Sequence, residues 1–134
     1  MTPRGIRNNN PGNIRGSSTQ WQGQTGVDDL GFAIFDSPES GIRAMAMTLL
    51  TYQNQHGLDT ISQIINRWAP PTENNTEAYV ESVCATCRAS PTNPYPLTTM
   101  HLIPLVMAII KHENGEQPYD ADQIESGVDQ ALDS

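Results

Sequence analysis

The stretch TTMHLIPLVMAIIKHENG, residues 98–115, holds the densest apolar run of the chain. Within it Leu102, Val106, Ile109 and Glu113 follow one another at spacings of four, three and four, which is one face of an α-helix. Asn114 and Gly115 end that helix, and Pro104 is expected either to kink it or to mark its true start. The apolar core LIPLVMAII, residues 102–110, is far too short to span a bilayer, so it belongs in the core of a water-soluble domain.

Working outward, the same helical signals recur. Ser37-Pro38 opens a helix that runs to about His56 and stops at Gly57, with Ile42, Met45, Leu49 and Tyr52 as its core stripe. A short helix follows at Thr60–Trp68, halted by Pro70-Pro71, and another spans roughly Glu73–Arg88. Past Gly115, Asp120 with Gln123 three residues on has capping-box spacing, and Ile124, Val128 and Leu132 form an apolar stripe behind it. From Gln20 to Phe35, apolar residues interleave with Gly and Asp in the pattern of a short hairpin, and residues 1–19 read as a polar loop. The expected fold is α+β, mainly α-helical, with one small β-hairpin.

Composition narrows the function. A chain of 134 residues closes one core and reads as one domain, residues 1–134. A net charge of −8 with only seven basic residues, scattered along the chain, argues against nucleic acid as a partner. The same acidity is poorly suited to electrostatic adhesion on an anionic envelope, so binding there requires a groove. The first residues lack the apolar core of a secretory signal, which predicts synthesis without ordinary export and no stable membrane insertion. Cys84 and Cys87 stand three apart in a helical segment with no second pair, and His56, His101 and His112 show no ligand spacing, so neither a metal nor an organic cofactor is expected.

Among groups able to do chemistry, Glu113 is the most informative. Its place at the end of a buried stripe puts a carboxyl against an apolar wall at the lip of a cleft, a setting that suits a general acid. A helix-terminal glutamate that merely reaches water fits the same pattern. Glu39, three residues before Ile42, is the chief rival, although an acidic residue in a first helical turn is favoured by the helix dipole alone. Asp28, Asp29 and Asp36 fit turns of the hairpin. The amide-rich run from Asn8 to Asn13 is either a structural loop or a donor–acceptor surface for sugar hydroxyls and acetamido groups. Trp21, Trp68 and Tyr79 are either core residues or platforms for sugar faces.

The segments RGIRNNNPGNIRG (residues 4–16), FAIFDSPESGIRAM (32–45) and INRWAPPTENNTEAYVESV (65–83) resemble a phage and prophage family that includes the lytic enzymes of enveloped double-stranded RNA phages. NPGNIRG is also similar, more distantly, to the N-L-F-G-I-K-G segment of flagellar-type glucosaminidases of the lysozyme-like superfamily. In those enzymes the catalytic Glu of an E-S-G segment precedes that block, whereas here MAIIKHENG, residues 107–115, follows it. The motif order implies a circularly permuted lysozyme-like domain with Glu113 as the acid and with Asn10, Asn13, Thr76 and Tyr79 lining a glycan cleft, Tyr79 nearest the Glu. Glu39-Ser40-Gly41 is a second E-S-G and keeps a claim.

The resemblance further implies bacterial peptidoglycan as partner, cleaved at the MurNAc-β-1,4-GlcNAc bond of the periplasmic wall during phage lysis or entry. With one placed acid and no convincing second carboxylate, a lytic transglycosylase is favoured over a hydrolytic muramidase. A virion or assembly component that binds peptidoglycan without cutting it, and a murein endopeptidase, are the alternatives.

Overall fold

The computed structural model describes residues 2–134. Its first element is a single helical turn, α1 (Arg4–Arg7), inside the segment expected to be loop. Glycines and asparagines predict loop there, but the backbone N–H groups of Arg7 and Asn8 find the carbonyls of Pro3 and Arg4 and close one turn. Strands β1 (Gln24–Val27) and β2 (Ala33–Phe35) then pair antiparallel, with a bulge between Gln24 and Gly26. The turn joining them is held by Asp28, whose Oδ1 accepts from the backbone N–H groups of Leu30 and Phe32.

Five longer helices follow. α2 (Pro38–His56) starts on the Ser37 cap, which accepts from the Ser40 N–H, and ends on Gly57 with φ of 67°. α3 (Ile61–Trp68) and α6 (Ala121–Leu132) both carry reciprocal capping boxes, Thr60 with Gln63 and Asp120 with Gln123. α4 (Thr76–Cys87) starts three residues later than its apolar pattern suggested. Asn75 caps it from the side chain, while the Glu73 N–H bonds back to the Pro70 carbonyl and holds residues 70–73 in a turn. α5 (Thr99–Asn114) contains Pro104 within its span. Proline at that place removes the donor for the Met100 carbonyl, in the first turn of the helix at an exposed residue, where such a loss is tolerated.

The fold is therefore a mainly helical α+β domain with a two-stranded sheet. Its core is built on α5, whose Leu102, Leu105, Val106, Ala108, Ile109 and Ile110 are all buried against α2, α4 and α6. A helix apolar on most of its circumference is stable only when other helices cover it, and each fully buried Leu or Ile contributes about 1.5–3 kcal/mol. Gly127 lets α6 approach α2, since a Cβ there would overlap the Ile42 side chain. Among the described residues no helix is long and apolar enough to cross a membrane.

Candidate active site

Glu113 occupies the last full turn of α5, where the buried stripe of Leu102, Val106 and Ile109 reaches solvent. Its carboxylate is held from two sides. The Tyr79 hydroxyl, on α4, donates to Oε2 at 2.7 Å, and the Asn13 Nδ2, on the N-terminal loop, donates to Oε1 at 3.2 Å. Tyr79 is 1% exposed; burial first, and then the charge of Glu113, hold its phenol far above the ordinary tyrosine range. The hydroxyl consequently stays a donor at any working pH. Its ring stacks on His112 at 3.8 Å between centroids.

The N-terminal loop is locked onto the end of α5 by Asn114, whose Nδ2 donates to the carbonyls of Pro11 (2.8 Å) and Ile110 (2.9 Å). Close approach requires small residues on the loop. A Cβ on Gly5 would sit 2.5 Å from the Asn114 Oδ1, and one on Gly12 would meet the Trp68 ring at 3.0 Å. The loop is tied on its other side to the hairpin, through Asn8 to Asp28, Asn9 to the Phe35 carbonyl and Asn10 to the Ala33 carbonyl.

Glu113 opens into a groove of about 800 Å³ lined, among others, by Asn13, Arg15, Tyr52, Trp68 and Glu73. The groove is lined by polar side chains including Asn13, Asn74 and Asn114, and has an aromatic flank where Trp68 meets Tyr52 edge to face at 6.5 Å. A carboxyl fixed in such a groove can deliver a proton to a bound oxygen and take one back.

Of the residues expected in the cleft, the structure brings Glu113, Tyr79 and Asn13 together and leaves two out. Asn10 is fully buried, and its amide is consumed by the Ile14 and Ala33 carbonyls and the Ile14 N–H. Thr76, 5% exposed, donates its hydroxyl to the Ala69 carbonyl at the start of α4. Both are scaffold: buried polar groups take the partner that folding supplies. Asn8 and Asn9 are spent in the same way, so only one asparagine of the run reaches the groove. Trp21 packs with Ala33, Phe35 and Ala44 beneath the hairpin, while Trp68 lines the groove and Tyr79 lies under the carboxylate.

The rival carboxylates are elsewhere. Glu39 stays in the first turn of α2 and does not line the groove. Asp28, despite the opposing effect of burial, is held well below the usual carboxylate range by hydrogen bonds from Asn8, the Phe32 N–H, Arg4 and the Leu30 N–H. It is a structural anchor. Burial pushes both the Cys84 and Cys87 thiols up, which disfavours reactive thiolate. Reading the sequence missed Glu73, because it was read as the first turn of the helix that carries Ala78, Tyr79 and Val83. The Pro70-Pro71 pair before it and the Asn75 cap after it were the signals that exclude it from α4.

No family model matches the chain. Protein P5 of Pseudoalteromonas phage PM2 is 42% identical to it over 130 residues, which is 94% of this chain and 80% of that protein. With that identity over nearly its whole length, the chain belongs to the family of the bacteriophage protein P5 of phage PM2.

Proposed function

We propose that this chain cleaves the glycan strand of peptidoglycan at the MurNAc-β-1,4-GlcNAc bond, with Glu113 as the acid, as a lytic transglycosylase. The observation that carries this is a carboxylate fixed by Tyr79 and Asn13 in a groove of about 800 Å³ with an aromatic flank. Protonated Glu113 gives its proton to the glycosidic oxygen as the bond from muramic C1 breaks, and GlcNAc leaves as the 4-alcohol. The same carboxylate then takes the proton of the muramic 6-hydroxyl while that oxygen closes onto C1, and the acid is regenerated. Tyr79 and Asn13 hold the two carboxylate oxygens aimed along this path, and the step asks of them no contact with the sugar. A phage relative suits a role in crossing the host wall at lysis or at entry.

A hydrolytic muramidase is the second reading, favoured by one observation: Glu73 lines the same groove and is a second carboxylate able to activate water. Products decide between them. Digested sacculi should contain 1,6-anhydromuropeptides, one water lighter than hydrolysed forms and without a reducing end. Reducing muramic ends would assign a hydrolase. Free stem peptides on intact strands, or no release at all from sacculi, would overturn glycan cleavage.

A further inference from the structure

The chain carries 15 acidic and seven basic side chains, yet two arginines, Arg4 and Arg15, line the groove and a third, Arg67, lies against the lining residue Tyr52. Arg15 lines it beside Asn13, its guanidinium 4.5 Å from the Phe32 ring centroid. Arg67 sits 5.1 Å from the ring centroid of Tyr52. Phe32 and Tyr52 both line the groove. Both arginines are exposed, and among the described residues neither has a carboxylate within ion-pair distance. Arg4, which also lines the groove, shows the contrast: it is bound by Asp28 and Asp29. A guanidinium resting on an aromatic face is held in place, and beyond one long Arg15 bond to the Leu30 carbonyl at 3.4 Å the edge N–H groups are engaged by no carboxylate among the described residues, the geometry that accepts a carboxylate in a two-pronged contact.

The geometry points to Arg15 and Arg67 as receptors for carboxylates carried by the substrate strand, so that the groove selects an acidic glycan over a neutral one of equal length. This rests on the glycan-cleavage reading above. It also answers how an acidic protein holds an anionic polymer: the overall charge repels at long range, where salt screens it, and two local cations act at contact distance. Such carboxylates have two sources on peptidoglycan, the stem peptides or the muramic lactyl group laid bare when stems are removed. Both present the same group to a guanidinium.

The test measures Kd on the full chain carrying Glu113→Gln, so that ligand is bound and not cut. Three tetrasaccharide probes are compared: stem-bearing GlcNAc-MurNAc dimers, the same dimers stripped by an amidase, and fully N-acetylated chitotetraose. Stem-bearing probe should bind about tenfold more tightly than chitotetraose at low salt, with the gap narrowing as salt rises. Adding Arg15→Gln and Arg67→Gln together should shrink the ratio to within about twofold, and Arg15→Lys with Arg67→Lys should keep more of it. Both positions are exposed, and the lysine pair serves as the folded control. If stripped dimers bind like chitotetraose the stem carboxylates are the partner; if they bind as tightly as stem-bearing ones the freed lactyl carboxylate is accepted as well; if only stripped dimers exceed chitotetraose the lactyl group alone is. A ratio to chitotetraose near one for both acidic probes on the parent protein, or an unchanged ratio in the glutamine pair, overturns this inference and leaves cleavage standing. Failure of all three probes to bind overturns both.

Discussion

Two glutamates line the groove, and the stretches of wall that carry them are built to different standards. Glu113 ends a 16-residue helix whose other face is core, and two donors from two other segments grip its oxygens. Glu73 stands in an exposed turn fixed only through its backbone, and among the described residues its carboxylate has no hydrogen-bond partner. A group that must meet a bound oxygen within hydrogen-bond reach gains from being held in advance, since ordering it later costs side-chain entropy. On the proposed reading, this difference favours the fixed Glu113 over the free Glu73 for the proton transfer.

The largest effect should come from the fixed wall itself. Glu113→Gln should reduce the clearing of purified sacculi by at least about 100-fold and leave the thermal midpoint within a few degrees, because an isostere removes the proton and little packing. Retained activity in that variant, with loss in Glu73→Gln, would invert the comparison.

Tyr79→Phe sharpens it. The ring and its packing stay while one donor to the carboxylate goes, so kcat should fall by about tenfold with KM nearly unchanged. An altered KM with normal kcat would move Tyr79 from positioning to substrate binding. Thermal melting separates either outcome from simple loss of fold.

Glu73→Gln should cost less than about threefold and leave 1,6-anhydro products in place, as expected of a side chain without a proton to move. Should the variant lose reducing-end products and most of its rate, the free wall would hold the base of a hydrolase.

The smallest effect concerns what supports the fixed wall. Asp28 ties Arg4 and Asn8, and with them the loop that carries Asn13, to the hairpin. Because its folded-state pKa is depressed, it adds stability that is fully present above its unfolded value, near 4, and is lost as pH falls from there. Thermal midpoints measured from pH 5 downward should therefore drop more steeply for the parent protein than for Asp28→Asn. Parallel slopes would show that the anchor is not the ionised Asp28.

Much of this was legible along the chain. Ser37, Gly57, Asp120 and Gly115 mark helix ends, and the spacing from Leu102 to Glu113 put a carboxyl where a core stripe meets water. Tyr79 and Asn13 came from motif resemblance and not from pattern, since nothing local links them to Glu113. The same resemblance placed Asn10 and Thr76 in the cleft, where burial has since removed them. Side-chain type alone does not distinguish an amide facing sugar from one facing a carbonyl.

By itself, then, the sequence determined the helices, their caps, the hairpin and one candidate acid, because caps and periodic stripes depend on residues within about four positions of one another. Only the tertiary structure decided which of four neighbouring asparagines meets Glu113, that Glu73 lines the same groove, and that Arg15 and Arg67 are left without a carboxylate partner among the described residues. Those facts rest on contacts such as Asn13 to Glu113, 100 residues apart, and Tyr79 to Glu113, 34 apart. Local preference does not reach that far; the packing of α4 and the N-terminal loop around α5 brings them together.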